Sequence, residues 1–158
     1  GKVLMTQHAT GADMDPGQSA LTDVFQYMIG NTDFSLSGLH NMRIMQSDTS
    51  VTYYPMAYDF DFSGLVDAPY ARPDYRLPIK RVTDRIYRGC DHPAELFESV
   101  AGRFKAKRGE VYGLLQGIKG LTPARLKEAS SFLDEFYKVI DDPRTMKREF
   151  RSVCGEGT

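Results

Sequence analysis

"FQYMIGNTDFSLSGLHN", residues 25–41, runs out of an apolar helical pattern into a loop that holds Asn31, Asp33, His40 and Asn41. Behind it, Leu21, Val24, Phe25, Met28 and Ile29 recur at helical spacing after Asp15-Pro16, an N-cap and first-turn pair. Gly30 suits a left-handed C-terminal cap, so the spacing predicts a helix over 16–29. Ahead of it, "MRIM" (42–45) and "VTYYPMAY" (51–58) are short, apolar and aromatic, and the turn-forming "QSDTS" separates them. That pattern predicts a β-hairpin. Pro55 has no N–H to give to a ladder, so the second strand is expected at an edge or kinked.

After the hairpin, the Pro and Gly density of 63–91 predicts a long irregular connection, with one short strand in "RVTDRIY" (81–87). Long ordered loops often carry function. The period then changes. Phe97, Val100, Phe104, Val111, Leu115 and Ile118 form a helical stripe over about 93–117, with breaks expected at Gly102 and Gly109. Thr122-Pro123 caps a further helix whose Leu126, Ala129, Phe132, Leu133, Phe136 and Ile140 face a core as far as Pro143. Asp142-Pro143 opens the last helix, with Met146, Phe150 and Val153 in register. The expected class is α+β, mostly helical with one small hairpin.

With 158 residues, 41% of them hydrophobic, the chain can bury one core and is too short for two ordinary domains. Its opening, "GKVLMTQHATGADMD", lacks an initiator Met and starts in mid-pattern, so 1–158 is expected to be one domain cut from a longer protein. The net charge is -1, with 20 Lys and Arg against 21 Asp and Glu. That balance gives no global electrostatic case for nucleic acid or an anionic membrane surface. No apolar run approaches the roughly 20 residues that span a bilayer. Cys90 and Cys154 have neither CxxC nor zinc spacing and are expected to be buried thiols, a disulfide being the alternative if the parent is exported.

A hairpin returns the chain to its start. Asn41 before the first strand and Asp59 after the second then emerge at one end, beside the loop carrying Asp33. Oxygen-bearing side chains of this kind suit Mg²⁺ or Mn²⁺, which also take phosphate oxygens and water. In phosphoryl transfer one Asp orients the acceptor hydroxyl, while an Asn and another Asp hold the metal on the nucleotide. The alternative is that Asn31, Asp33 and Asn41 only cap helices and turns.

The order "FQYMIGNTDFSLSGLHN", hairpin, "YPMAYDFDFSG" resembles the C-terminal lobe of atypical kinase-fold families, in particular the CotH-like spore-coat kinases and, more distantly, the HipA-like kinases. It is also similar to uncharacterised, exported bacterial proteins that carry GNTDxS…HN and YDFDxSG motifs. The resemblance covers residues 20–90. It implies that Asp33 is the catalytic acid, that Asn41 and Asp59 bind the metal and through it the nucleotide, and that Asp61 is a further metal ligand. It implies Mg²⁺ (or Mn²⁺) and ATP as cofactors, a protein or small-molecule hydroxyl as acceptor, and a bacterial extracytoplasmic setting. Two departures stand out. The step from Asp33 to Asn41 is longer than the five residues of ordinary protein kinases. No Gly-rich loop and no strand Lys with a helix Glu precede Asp33, so the nucleotide-covering N-terminal lobe is expected to be a partner missing from this chain, and the isolated chain inactive.

Two other functions compete. A catalytically silent member of the same fold would only bind. "DFDFSG" (59–64) also matches the nucleophile motif of haloacid-dehalogenase-like phosphatases, with Asp59 as nucleophile, Asp61 as acid/base and "IDD" (140–142) as a distal acidic motif. Those enzymes need a parallel sheet of βαβ units. Arg76, Lys80, Arg81, Arg85 and Arg88, interleaved with Tyr70, Tyr75 and Tyr87, stand where a substrate-binding segment would run. The acids Asp67, Asp74, Asp84 and Asp91 dilute them, so a solvated surface is the expectation. His40 is expected to be tied to backbone, and His8 and His92 have no partner at metal-ligand spacing.

Overall fold

A computed structural model describes residues 2–4, 11–46, 48 and 51–151. Helix α1 (Pro16–Ile29) starts and stops where its local signals say. The Asp15 carboxylate accepts the Gln18 N–H at 2.7 Å, and Gly30, at φ 64°, turns its N–H back to the carbonyls of Gln26 and Tyr27. This left-handed cap costs a glycine nothing sterically. α1 packs against α2 (Ala94–Ala106), α4 (Pro123–Asp141) and strand β3 (Tyr53–Ala57). Enclosed in this way it buries polar side chains too, and Asp23, Gln26 and Thr22 are all under 10% exposed.

Strands β2 (Met42–Gln46) and β3 pair antiparallel with Ile44 opposite Pro55. β3 is an outer strand, as the missing Pro55 N–H requires. The hairpin is extended by a strand that local pattern does not announce: β1 (Lys2–Leu4) pairs antiparallel with the other side of β2, Val3 opposite Met45. The Asp15 N–H donates to the Tyr53 carbonyl at 2.7 Å and ties the start of α1 to the sheet. Met14 and Ile44 form a small apolar centre there.

The strand expected at 81–87 does not form; the segment is turns and irregular backbone. Its groups have other partners. The Asp84 carboxylate accepts the N–H groups of Lys80 and Arg81 at 3.0 and 2.9 Å, which closes a turn and holds the carboxyl below its ordinary range.

The helical stripe breaks at Lys107, between α2 and α3 (Arg108–Gln116), and not at Gly102 or Gly109. Both glycines look onto open space. α3 is held by Tyr112, which stacks on Tyr137 of α4 at 5.8 Å and donates to Asp134 at 2.5 Å. This orientation buries Leu115 but leaves Ile118 53% exposed, so Ile118 is not a core residue. α4 and α5 (Pro143–Glu149) begin at their Thr122 and Asp142 caps as expected. The core joins α1, α2, α4 and α5, and Phe150 sits among Tyr27, Tyr87 and Phe97 at 5.0, 5.0 and 5.2 Å. Among the described residues no helix is long and apolar enough to cross a membrane. The molecule is α+β and mostly helical.

Candidate functional site

The loop after α1 is positioned by a buried polar chain. Gln26 accepts from the Asn31 amide at 3.0 Å, and Asn31 in turn accepts the Asp33 N–H at 3.0 Å. Both amides are 1% exposed. Removing either partner would leave an unsatisfied buried group, which makes the start of the loop rigid. Asn31 is therefore a turn-former, whereas Asp33 is free to face outward. The Ser35 and His40 backbones bond to each other in both directions and close the loop, at 2.9 and 3.0 Å.

Two of the expected site residues, Asp33 and Asn41, meet, and His40 joins them. His40 Nε2 donates to Asp33 Oδ1 at 3.0 Å. The Asn41 Nδ2 donates to the Asp33 carbonyl at 2.8 Å and to Asp33 Oδ2 at 3.1 Å. Both partners of Asn41 can only accept, so its NH₂ faces Asp33 and its Oδ1 turns away. His40 is thus tied to a carboxylate and not to backbone. Asn41 has φ 53°, a left-handed conformation that Asn tolerates better than most residues.

Asp59 and Asp61 enter from the far end of the hairpin. The Tyr58 N–H donates to the Asn41 carbonyl at 3.0 Å, so Asp59 follows the last rung beside Asn41. Asp59 also has positive φ, 59°. Paired left-handed residues at one end of a hairpin are a strain worth noting at a functional site. Asp61 accepts from the Tyr70 hydroxyl at 3.1 Å, which raises the Tyr70 pKa. The segment after them is anchored, because Gly64 N–H donates to Gly30 O at 3.1 Å and Leu65 N–H to Ile29 O at 2.9 Å. Asp33 and Asn41 are in direct contact, while no hydrogen bond joins Asp59 or Asp61 to them among the described residues. There, no three His, Cys, Asp or Glu side chains stand close enough together to hold a metal ion. Asn41, Asp59 and Asp61 carry an amide oxygen and two carboxylates, donor types that suit a hard ion completed by phosphates and water.

The basic stretch divides into two kinds of residue. Arg76 and Arg81 are exposed, as expected of a solvated surface. Arg85 is not: its side chain is 7% exposed and donates to the carbonyls of Tyr27, Met28 and Phe132. Arg88 donates to the carbonyls of Thr32 and Phe34, on either side of Asp33, and its partial burial lowers its pKa. Sequence spacing missed both, because nothing local distinguishes an arginine that reaches carbonyls more than 50 residues away. His92 also has a partner, Asp23 Oδ2, at 2.9 Å, and Asp23 further accepts the Cys90 N–H at 3.0 Å. Cys90 is disulfide-bonded and not a free thiol. Cys154, His8 and Val153 lie outside the described residues. Asp141 pairs with Arg108 and Asp142 caps α5, so "IDD" has structural work.

A cleft of about 530 Å³ opens beside Asp33 and His40, with Phe34, Phe62, Arg72, Asp74, Arg76 and Arg88 in its lining. No protein-family model matches the chain, and no curated protein or solved structure matches it.

Proposed function

We propose that this chain is the catalytic and metal-binding lobe of an atypical kinase-fold protein of the CotH-like or HipA-like kind, transferring the γ-phosphoryl group of ATP to a hydroxyl acceptor within a longer parent. The carrying observation is the Asn41 amide, whose NH₂ grips Asp33 and leaves Oδ1 out of that contact. The grip fixes the acid that orients the acceptor, and an amide oxygen is a donor that a phosphate-bound metal takes. Asn41, Asp59 and Asp61 would hold Mg²⁺ or Mn²⁺, which neutralises charge on the nucleotide phosphates. The nucleotide is covered by a lobe supplied from elsewhere in the parent. A disulfide at Cys90 favours an oxidising, extracytoplasmic setting. The phosphatase alternative is disfavoured by the sheet, which is antiparallel throughout the described residues.

The test uses the full-length parent, with labelled ATP and nucleotide titration with and without Mg²⁺. Asp33→Asn is expected to abolish transfer and largely spare nucleotide binding, because it removes an interaction made at the acceptor. Asn41→Ala should weaken both Mg²⁺-dependent binding and turnover. Wild-type parent without Mg²⁺-dependent binding would make this a silent binding module. Phosphate-ester hydrolysis that survives Asp33→Asn and is lost in Asp59→Asn would make it a phosphatase.

A further inference from the structure

The cleft beside Asp33 carries more positive charge than its own acids neutralise. Two carboxylates line it, Asp33 and Asp74, against three guanidinium groups, Arg72, Arg76 and Arg88. Asp74 is spent on Arg76, at 2.5 and 3.0 Å. Arg72 donates only to the carbonyls of Pro69 and Ala71, at 3.0 and 2.7 Å, and pairs with no carboxylate among the described residues. Arg88 Nε is buried with no hydrogen-bond partner among them. Apolar side chains, Phe34, Phe62, Leu77 and Ile86, make up much of the remaining wall. In a chain of net charge -1 this is a local excess.

We propose that the cleft receives an acidic peptide segment, a serine or threonine flanked by carboxylates and apolar side chains, whose hydroxyl is the acceptor presented to Asp33. The inference rests on the phosphotransfer reading above. Arginine pairs with carboxylates through a planar fork, so an exposed Arg72 selects acidic flanks and repels basic ones. A small hydroxy acid would leave most of about 530 Å³ and the apolar wall unfilled, whereas alternating apolar and acidic side chains of a peptide match both.

The test measures binding of a fluorescein-labelled peptide, Glu-Glu-Leu-Ser-Leu-Glu, to the full-length parent by anisotropy, beside the charge-reversed Lys-Lys-Leu-Ser-Leu-Lys. The acidic peptide should bind about tenfold or more tightly, with an affinity that falls as salt is added. Arg72→Glu should lose that preference, Arg72→Lys should recover part of it, and Lys127→Glu on α4 should leave it unchanged. Equal binding of the two peptides, preference for the basic one, an unaffected Arg72→Glu, or displacement by malate at the same concentration would each overturn the assignment. Acidic-peptide binding that depends on Arg72 in a parent that transfers no phosphate would support the peptide site and remove the kinase reading. Transfer to the basic peptide alone would do the reverse.

Discussion

Arg85 lies over the ring of Phe132, its guanidinium carbon 3.8 Å from the ring centroid, while its Nη2 donates to the Phe132 carbonyl at 2.8 Å. The same guanidinium donates to Tyr27 and Met28 at the C-terminal end of α1. One buried cation therefore joins α1 to α4 and adds donors to the carbonyls at the C-terminal end of α1. Burial lowers its pKa, and Glu135 at 3.5 Å partly offsets that. Arg85→Ala is expected to cost about 2–4 kcal/mol, the loss of charge-assisted bonds to buried acceptors. Arg85→Lys should recover less than half, because an ammonium cannot fork to three carbonyls and stack at once. Urea denaturation of the three proteins measures it, and a wild-type midpoint for Arg85→Lys would contradict the role.

Asn41 combines a left-handed backbone with two hydrogen bonds to Asp33, and substitution can separate them. Asn41→Ala loses the bonds and, while keeping a β-carbon at positive φ, the short polar side chain that eases that conformation, for an expected cost of about 1–3 kcal/mol. Asn41→Gly loses only the bonds and should be about 1 kcal/mol more stable than the alanine variant. Equal stability of the two would show that the backbone conformation carries no strain.

Gly64 follows the Asp59 and Asp61 segment, and a β-carbon there would stand 2.5 Å from Val82 O and 2.8 Å from Phe132 Cζ. Gly64→Ala should destabilise by about 1–3 kcal/mol through overpacking. Gly102→Ala, inside α2 with nothing near it, should instead stabilise by about 0.5–1 kcal/mol. Thermal melts of both variants give opposite signs if the packing is as described.

Phe136 is fully buried and meets Phe104, Tyr27 and Tyr137 edge-on or tilted. Phe136→Ala should cost about 3–5 kcal/mol, while Lys127→Ala on the exposed side of α4 should change stability by less than about 0.5 kcal/mol. Similar midpoints for the two in a denaturant series would mean that the faces of α4 are reversed.

The Asp74 carboxyl is held down to about 2, chiefly by the side-chain hydrogen bonds of Arg76. Because its folded pKa lies below the ordinary 3.8, its contribution is present above 3.8 and is lost as pH falls through about 2. The carboxyl ¹³C shift of Asp74 should titrate with a midpoint near 2 in the wild type and nearer 3.8 in Arg76→Ala. A wild-type midpoint at 3.8 would mean that the pair does not form, and that Arg76 is free to join Arg72 in the cleft.

Local chemistry alone determined where α1, α4 and α5 start and where α1 stops. Asp15-Pro16, Thr122-Pro123 and Asp142-Pro143 act within one turn of themselves, and Gly30 needs only its own φ, so neighbours in sequence suffice. The hairpin and its outer Pro55 strand were legible for the same reason. The meeting of Asp33 with Asn41 was legible as a pair on one loop, though not as an amide held to an acid. Tertiary structure decided the rest. β1 exists because β2 offers it an edge some forty positions away. The segment 81–87 is irregular because Asp84 and Arg85 find better partners than a ladder, and the stripe breaks at Lys107 where α3 turns to stack Tyr112 on Tyr137. Arg85, Arg88 and His92 look like surface residues until carbonyls and a carboxylate more than 50 residues away accept their protons. Desolvating a cation or an imidazole is favourable only when such partners are already in place, and the fold alone puts them there.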